Sequence, residues 1–153
     1  MSPTKTISLR GQQRTAVPDS VAEQPALELL DLDQNRLTAL PEWIGQLSNL
    51  RSLSLYSNQL AELPETLWQL SELRMLNVSA NQLTTLAAGL GRLVELTMLD
   101  LGHNQLATLP VALGALARLR FCYLSNNQLS AIPPALTNLG RLIYLNVADN
   151  QLA

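Results

Sequence analysis

One phrase recurs every 23 residues along this chain, and a fixed repeat constrains the fold more than any single motif does. Six units follow one another without insertion or deletion, and each carries an asparagine at its ninth position. The units begin at Leu27, Leu50, Leu73, Leu96, Leu119 and Leu142. The asparagines are Asn35, Asn58, Asn81, Asn104, Asn127 and Asn150. Such self-similarity indicates a repeat architecture, in which a unit buries its apolar face only by stacking on its neighbours.

Within a unit, the pattern L-x-x-L-x-L-x-x-N-x-L changes from one periodicity to another. Leucines at positions 4 and 6 alternate with position 5, which is the spacing of a β-strand, and positions 14, 18 and 21 have the spacing of a helical or 3₁₀ turn. Proline at position 15 lacks an N–H, so it suits an irregular arc and not a central strand. These prolines are Pro41, Pro64, Pro110 and Pro133. Each unit is therefore predicted to run from a strand through a turn into a convex arc.

A degenerate copy of the unit begins at Thr4, before the six regular units. Ile7 and Leu9 hold its strand positions, whereas Gln12 replaces the asparagine and Arg14 replaces a leucine. A terminal unit faces water on one side, so residues 1–26 are predicted to be a degenerate N-terminal capping repeat. The solenoid is predicted to span 27–153 as six repeats, namely 27–49, 50–72, 73–95, 96–118, 119–141 and a truncated 142–153.

This pattern resembles the leucine-rich repeats, in the 23-residue form found in bacterial and other intracellular proteins. The resemblance covers residues 4–153 and implies an α/β solenoid, curved, with a parallel β-sheet on its concave face and short helical or 3₁₀ segments on its convex face. In that family the asparagine ties the backbone of one repeat to the next, so the asparagine column is expected to be structural. The resemblance also implies a protein–protein interaction module, because such proteins bind partners through the concave surface.

Composition limits the classes of partner and the compartment. The 153 residues are 47% hydrophobic and 14% charged, which is typical of a globular chain, and the net charge of −2 argues against nucleic acid or an anionic membrane as the partner. One cysteine forms no internal disulfide. The N-terminal segment has no apolar run typical of a Sec signal peptide, and no stretch of 18 apolar residues predicts a membrane span. A cytoplasmic protein is expected, with delivery into a host cell if the protein is an effector.

The binding surface is predicted from the positions that point away from the core. Position 3 is an apolar row that gains aromatic residues toward the C-terminus, while positions 5 and 8 are mostly polar. An apolar and aromatic patch with a polar rim is typical of protein-binding surfaces. The residues predicted to bind a protein partner are Met75, Met98, Asp100, His103, Phe121, Tyr123, Tyr144 and Asn146. The alternative is that the apolar members only pave a wide sheet face.

No motif for catalysis, cofactor binding or metal binding stands out. The sequence has no phosphate-binding loop, dinucleotide fingerprint or metal-ligand spacing, and His103 is its only histidine. Asp100, His103 and Ser125 are expected to lie near one another, but a sheet edge supplies no evident oxyanion hole for a catalytic triad. Cys122 stands in a leucine position and is expected to be a small buried filler, not a nucleophile. The chain is predicted not to be an enzyme, with no cofactor and no metal.

The third unit departs from the pattern, since Ala87, Ala88 and Gly89 replace its Pro-x-x segment. Two consequences stay open at this point: a locally loosened convex arc, or a flat spot on it. Trp43 and Trp68, on the convex side of the two preceding units, are expected to cover leucines and not to bind a partner.

The C-terminal unit stops at position 12, so its strand is expected to expose Leu145, Val147 and Leu152 along an open edge. Three explanations remain: a fragment of a longer protein, a homodimer through the C-terminal edge, or a tolerated exposed end. Two alternative functions follow. One is the recognition domain of a larger bacterial signalling or effector enzyme, since similar repeats are joined to kinase, GTPase or ubiquitin-ligase domains. The other is a self-assembling structural protein.

Overall fold

The computed structural model describes residues 3–153, which form one short strand for every 23 residues. The strands are β1 (Thr6–Ser8), β2 (Leu29–Asp31), β3 (Ser52–Ser54), β4 (Met75–Asn77), β5 (Met98–Asp100), β6 (Phe121–Tyr123) and β7 (Tyr144–Asn146). They pair in sequence order as one parallel sheet. Each residue lies opposite its equivalent 23 residues along, as Met75 lies opposite Met98. Residues at the same position of successive repeats therefore lie side by side across the sheet.

Short 3₁₀ helices form the opposite face of the solenoid. They are η1 (Asp19–Val21), η2 (Glu42–Gln46), η3 (Glu65–Gln69), η4 (Ala88–Arg92), η5 (Val111–Ala115) and η6 (Pro134–Asn138). Together with the parallel sheet, they confirm the predicted fold class, an α/β leucine-rich repeat solenoid with 3₁₀ turns on its convex side. Within residues 3–153, no helix has the length and apolar character that crossing a bilayer requires.

The leucine positions of successive units merge into one core. The side chains of Leu53, Leu76 and Leu99, at position 4 of three neighbouring units, are completely buried. The unit's other leucine positions add further buried side chains, and they extend the core along the solenoid. Because each layer covers the next, the apolar area that stabilises a unit is buried largely by its neighbours.

The asparagine column forms a hydrogen-bonded ladder beside this core. The Asn81 Nδ2 group donates to the carbonyl oxygen of Val78, in its own unit, and to that of Leu55, in the preceding unit, at 3.0 Å each. Its Oδ1 atom accepts the N–H of Leu60 at 3.0 Å. The Leu55 carbonyl oxygen also accepts from Asn58 at 3.1 Å. Each buried amide therefore links two units, and each linked carbonyl joins one asparagine to the next.

The third unit keeps the convex arc of its neighbours despite its missing proline. Ala87 precedes η4 with φ −70° and ψ 149°, and Pro64 precedes η3 with φ −67° and ψ 147°. The arc is therefore not loosened at the backbone. The glycine at residue 89 is explained by a contact with the preceding unit. The Trp68 ring of that unit is only 2% exposed and lies against Gly89. A Cβ atom at residue 89 would lie 2.2 Å from Trp68 Cδ1, so the indole occupies the space of a side chain there.

The last strand is poorly covered. Ile143, Tyr144, Leu145 and Leu152 are all exposed, while Val147 is partly buried against the core. Within residues 3–153, β7 pairs only with β6, so the edge that would pair with a further strand faces solvent.

Candidate functional site

The apolar row predicted at position 3 is continuous across the C-terminal half of the sheet. Met75, Met98, Phe121 and Tyr144 lie in successive strands in direct register. The first three are half-buried by their neighbours, and Tyr144 is 47% exposed. Residues in register on neighbouring strands share one face, so these four side chains form a single surface.

The three C-terminal aromatic residues of this face lie close together. The ring centroids of Tyr123 and Tyr144 are 5.3 Å apart with a tilt of 43°, which is a favourable aromatic geometry. The Arg120 guanidinium lies 5.8 Å from the centroid of the Phe121 ring. These contacts hold the rings in place, and a preordered aromatic patch loses less conformational entropy when a partner binds.

Position 5 has a structural role that the sequence reasoning missed. In four units an aspartate or asparagine there accepts the N–H of the residue two positions later, at 2.9 to 3.1 Å. The pairs are Asp31 with Asp33, Asn77 with Ser79, Asp100 with Gly102 and Asn146 with Ala148. The signal was present, because Asp and Asn commonly cap a turn two residues ahead. For Asp100 and Asn146, one side-chain oxygen is therefore already engaged within the chain.

Position 8 carries a second feature that the sequence reasoning missed. Six non-glycine residues there adopt left-handed backbone conformation, with φ between 52° and 57°. They are Gln34, Ser57, Ala80, His103, Asn126 and Asp149. The left-handed residue lies in the bend that follows the strand, and it precedes the inward-facing asparagine. At His103, this backbone conformation also determines the direction in which the side chain leaves the backbone.

A hollow of about 350 Å³ lies on the strand face and includes part of the predicted site. Tyr56, Asp100, Gly102, His103, Tyr123 and Ser125 are among the residues that line it. The structure thus brings the predicted Asp100, His103 and Tyr123 to one place. Met98, Phe121, Tyr144 and Asn146 lie on the same face outside the hollow, and Met75 lies farther along the position 3 row.

The electrostatics of the hollow centre on Asp100. Burial raises the pKa of its carboxyl, and the hydrogen bond from the Gly102 N–H, the nearby Ser79 hydroxyl and the charge of His103 offset part of that effect. The Ser79 hydroxyl itself donates to Asn77 Oδ1 at 2.7 Å. His103 Nε2 lies 3.4 Å from the Asn126 side-chain nitrogen. Among residues 3–153, the His103 ring forms no hydrogen bond with Asp100 or Ser125, so the three are neighbours without the relay of a catalytic triad. In the same part of the chain, no three side chains of the metal-binding types converge on one point.

Cys122 lies beneath this surface, at the centre of β6. Its side chain is completely buried, and burial raises the pKa of the thiol to about 12, with a smaller contribution from the negative charge of Asp100. A thiol that is buried and protonated at neutral pH is a packing group, because the thiolate is the reactive form.

Cys122 is therefore expected to resist alkylation in the folded protein. At pH 8 we expect iodoacetamide to react more than ~100-fold slower with the native chain than with the chain in denaturant, because both access and thiolate are lacking. Mass spectrometry of timed samples measures this. Ser130→Cys, at an exposed position, supplies the control and is expected to react rapidly. Equal rates for Cys122 and the control thiol would contradict the assignment.

Comparison with known proteins agrees with this architecture. The family model described as leucine rich repeat matches residues 3–60, 25–83 and 71–129. A leucine-rich repeat protein of Leptospira interrogans is similar at 32% identity and a TM-score of 0.69, over 91% of this chain and 41% of that one. An internalin from Listeria monocytogenes is similar at 26% identity and a TM-score of 0.88, over 97% of this chain and 42% of that one.

No curated protein is significantly similar to this chain. The chain spans about two-fifths of the length of the two solved bacterial structures. The repeat pattern, the parallel sheet with its 3₁₀ turns and the three family matches agree with one another. The chain therefore belongs to the leucine-rich repeat family.

Proposed function

We propose that this chain is a non-enzymatic module that binds a protein partner through the C-terminal half of its concave face. The observation that carries the proposal is the aromatic patch, formed by Phe121, Tyr123 and Tyr144. It continues along position 3 into Met98 and is bordered by Asp100, His103 and Asn146. Aromatic residues dominate the binding energy of many interfaces when polar groups surround them. Leucine-rich repeat domains generally bind proteins, which supports the class of partner.

The patch is predicted to supply most of the affinity. A partner is first captured with the immobilised chain, identified by mass spectrometry, purified and titrated against the wild-type protein. Phe121→Ala with Tyr123→Ala is expected to weaken that affinity by about 100-fold or more, because each truncation at an anchor costs at least about 2 kcal/mol. Calorimetry measures the affinity, and circular dichroism checks that the variant is folded.

A matched double variant separates this face from the rest of the surface. Val94 and Val111 lie away from the strand face, where they are 48% and 73% exposed. Val94→Ala with Val111→Ala is expected to bind like the wild-type protein. If the aromatic variant does not fold, Tyr144→Ser replaces it, since that side chain is already half exposed. Wild-type affinity in a folded aromatic variant would refute the proposal.

A recognition domain within a larger bacterial signalling or effector protein is a second candidate function. It is supported by the length of the solved structures, of which this chain spans about two-fifths. The same concave face would then select a target for another domain. Sequencing the complete reading frame tests this candidate, and a further domain encoded in frame is the expected result.

Self-association through the C-terminal edge is a third candidate. It is supported by the exposed Ile143, Leu145 and Leu152 beside the open edge of β7. Such an edge offers unpaired backbone groups to a second chain. Light scattering over a range of concentrations tests it, and a dimer that Leu145→Asp, at an exposed position, dissociates is the expected result. A constant monomer mass would eliminate this candidate.

A further inference from the structure

The hollow on the strand face contains a backbone N–H for which the chain supplies no acceptor. In four units, the backbone N–H of the residue at position 7 donates to the side-chain oxygen of the residue at position 5. For Tyr56, the acceptor is instead the Asp33 carboxylate of the preceding unit, at 2.9 Å. Neither acceptor exists at Ser125. Tyr123 stands two residues earlier, and Gly102 occupies the place equivalent to Asp33.

Among the six units that span residues 27–153, only at Ser125 does the position 7 N–H donate to no protein acceptor. The equivalent N–H in the degenerate first unit belongs to Arg10, which is exposed to water. Ser125 is half-buried and lines the hollow. A partly desolvated N–H without an acceptor is unfavourable, so an acceptor brought by a partner would be stabilised there.

The same hollow contains a carboxylate, Asp100, that no lysine or arginine of residues 3–153 pairs with. His103 also lines the hollow, and its charge is the smallest of the effects on the Asp100 pKa. Four other acidic side chains of residues 3–153 form ion pairs, among them Asp33 with Arg10 and Glu28 with Lys5. Asp100 forms none within residues 3–153. It accepts the Gly102 N–H at 2.9 Å with one oxygen. The hollow thus presents one carboxylate that no lysine or arginine of residues 3–153 pairs with, and one backbone N–H that no protein group accepts.

We propose, building on the proposed function, that the hollow receives a basic side chain, arginine or lysine, from a loop of the protein partner. The cationic head pairs with Asp100, and a carbonyl oxygen of the same loop accepts the Ser125 N–H. The rings of Tyr56 and Tyr123 line the hollow and favour a cation near their faces. An anionic group would be repelled by Asp100, and an apolar group would leave the carboxylate desolvated and unpaired.

Asp100→Asn isolates the charge without disturbing the turn. Asparagine already occupies the equivalent position in two other units, where Asn77 and Asn146 accept the N–H two residues later at 2.9 and 3.1 Å. The variant therefore keeps the Gly102 hydrogen bond and the local fold, and it loses only the negative charge.

The direct test uses a small probe and needs no partner. N-acetyl-arginine methylamide is titrated into isotope-labelled protein, and N-acetyl-citrulline methylamide serves as its neutral isostere. We expect saturable shifts of the Gly102 and Ser125 amide resonances with the arginine probe. Binding is expected to be about 5-fold weaker with the citrulline probe and about 10-fold weaker for Asp100→Asn, as for the loss of one charge-assisted pair. No saturable shift, or equal shifts with both probes, would overturn the proposal.

The partner complex distinguishes this proposal from the proposed function. If Asp100→Asn weakens the captured partner about 10-fold and lowers the salt dependence of binding, the basic residue is confirmed. If Asp100→Asn binds the partner normally while the aromatic variant does not, the concave face is the site and the hollow is not. If neither variant changes the affinity for the partner, the proposed function itself fails.

Discussion

Asn81→Ala is expected to lower the free energy of unfolding by about 3 kcal/mol, because it removes a buried side chain that bridges two units. The substitution deprives the Leu60 N–H of its acceptor, in a buried place that water does not reach. It also removes one donor each from the Leu55 and Val78 carbonyl oxygens, although other asparagines still donate to both. Urea unfolding followed by circular dichroism measures the loss, provided that the m value is unchanged.

Asn150→Ala is the matched control for this prediction. Asn150 makes the same set of hydrogen bonds in the last unit, but it is only partly buried. Water can replace those bonds, so we expect a loss of about 1 kcal/mol or less. Equal losses at the two positions would show that burial does not determine the strength of the ladder.

Gly89→Ala is expected to destabilise the protein by about 2 to 3 kcal/mol, although alanine is the better residue for a helical turn. The added methyl group would lie 2.2 Å from Trp68 Cδ1 and 2.6 Å from Cγ. These atoms are near the base of a buried ring, so the indole has little freedom to move away. Chemical unfolding of Gly89→Ala measures the cost.

A double-mutant cycle attributes that cost to the ring. In a Trp68→Ala background, Gly89→Ala is expected to be nearly neutral, because the space beside residue 89 is then empty. Gly140→Ala serves as a further control, since a Cβ atom there meets nothing within 4 Å. A cost for Gly89→Ala that is the same in both backgrounds would contradict the explanation given for the third unit.

The fold could be predicted almost completely from the sequence because a repeat multiplies a weak signal. One strand of three residues is barely recognisable alone, but the leucines at positions 4 and 6 and the asparagine at position 9 recur in register. The same columns predicted which side chains share a face, because the parallel register places like positions opposite each other.

Contacts between different positions of neighbouring units could not be predicted in this way. Comparing the same position in successive units reveals only which side chains lie side by side. It therefore gives no sign that Trp68, at position 19, occupies the space of a side chain at position 17 of the next unit. It also missed the turn caps at position 5 and the left-handed backbone at position 8, where His103 stands among chemically unrelated residues. The uncapped N–H of Ser125 could not be predicted either, because it is recognised only by comparison with the hydrogen-bonded caps of the other units.

The protein-binding residues themselves stay a prediction, since position on a face does not establish contact. Met98, Phe121, Tyr123 and Tyr144 form one surface, yet apolar residues can also pave a sheet without binding. The two interpretations differ in what a partner would protect from solvent.

Hydrogen–deuterium exchange of the purified complex with the captured partner tests the central claim most directly. The account predicts slower exchange in residues 98–104 and 121–126 on binding, with little change in η2 and η5 on the convex side. Protection confined to the convex 3₁₀ turns, or to residues 142–153 at the open edge, would contradict the assignment of the concave face as the binding site.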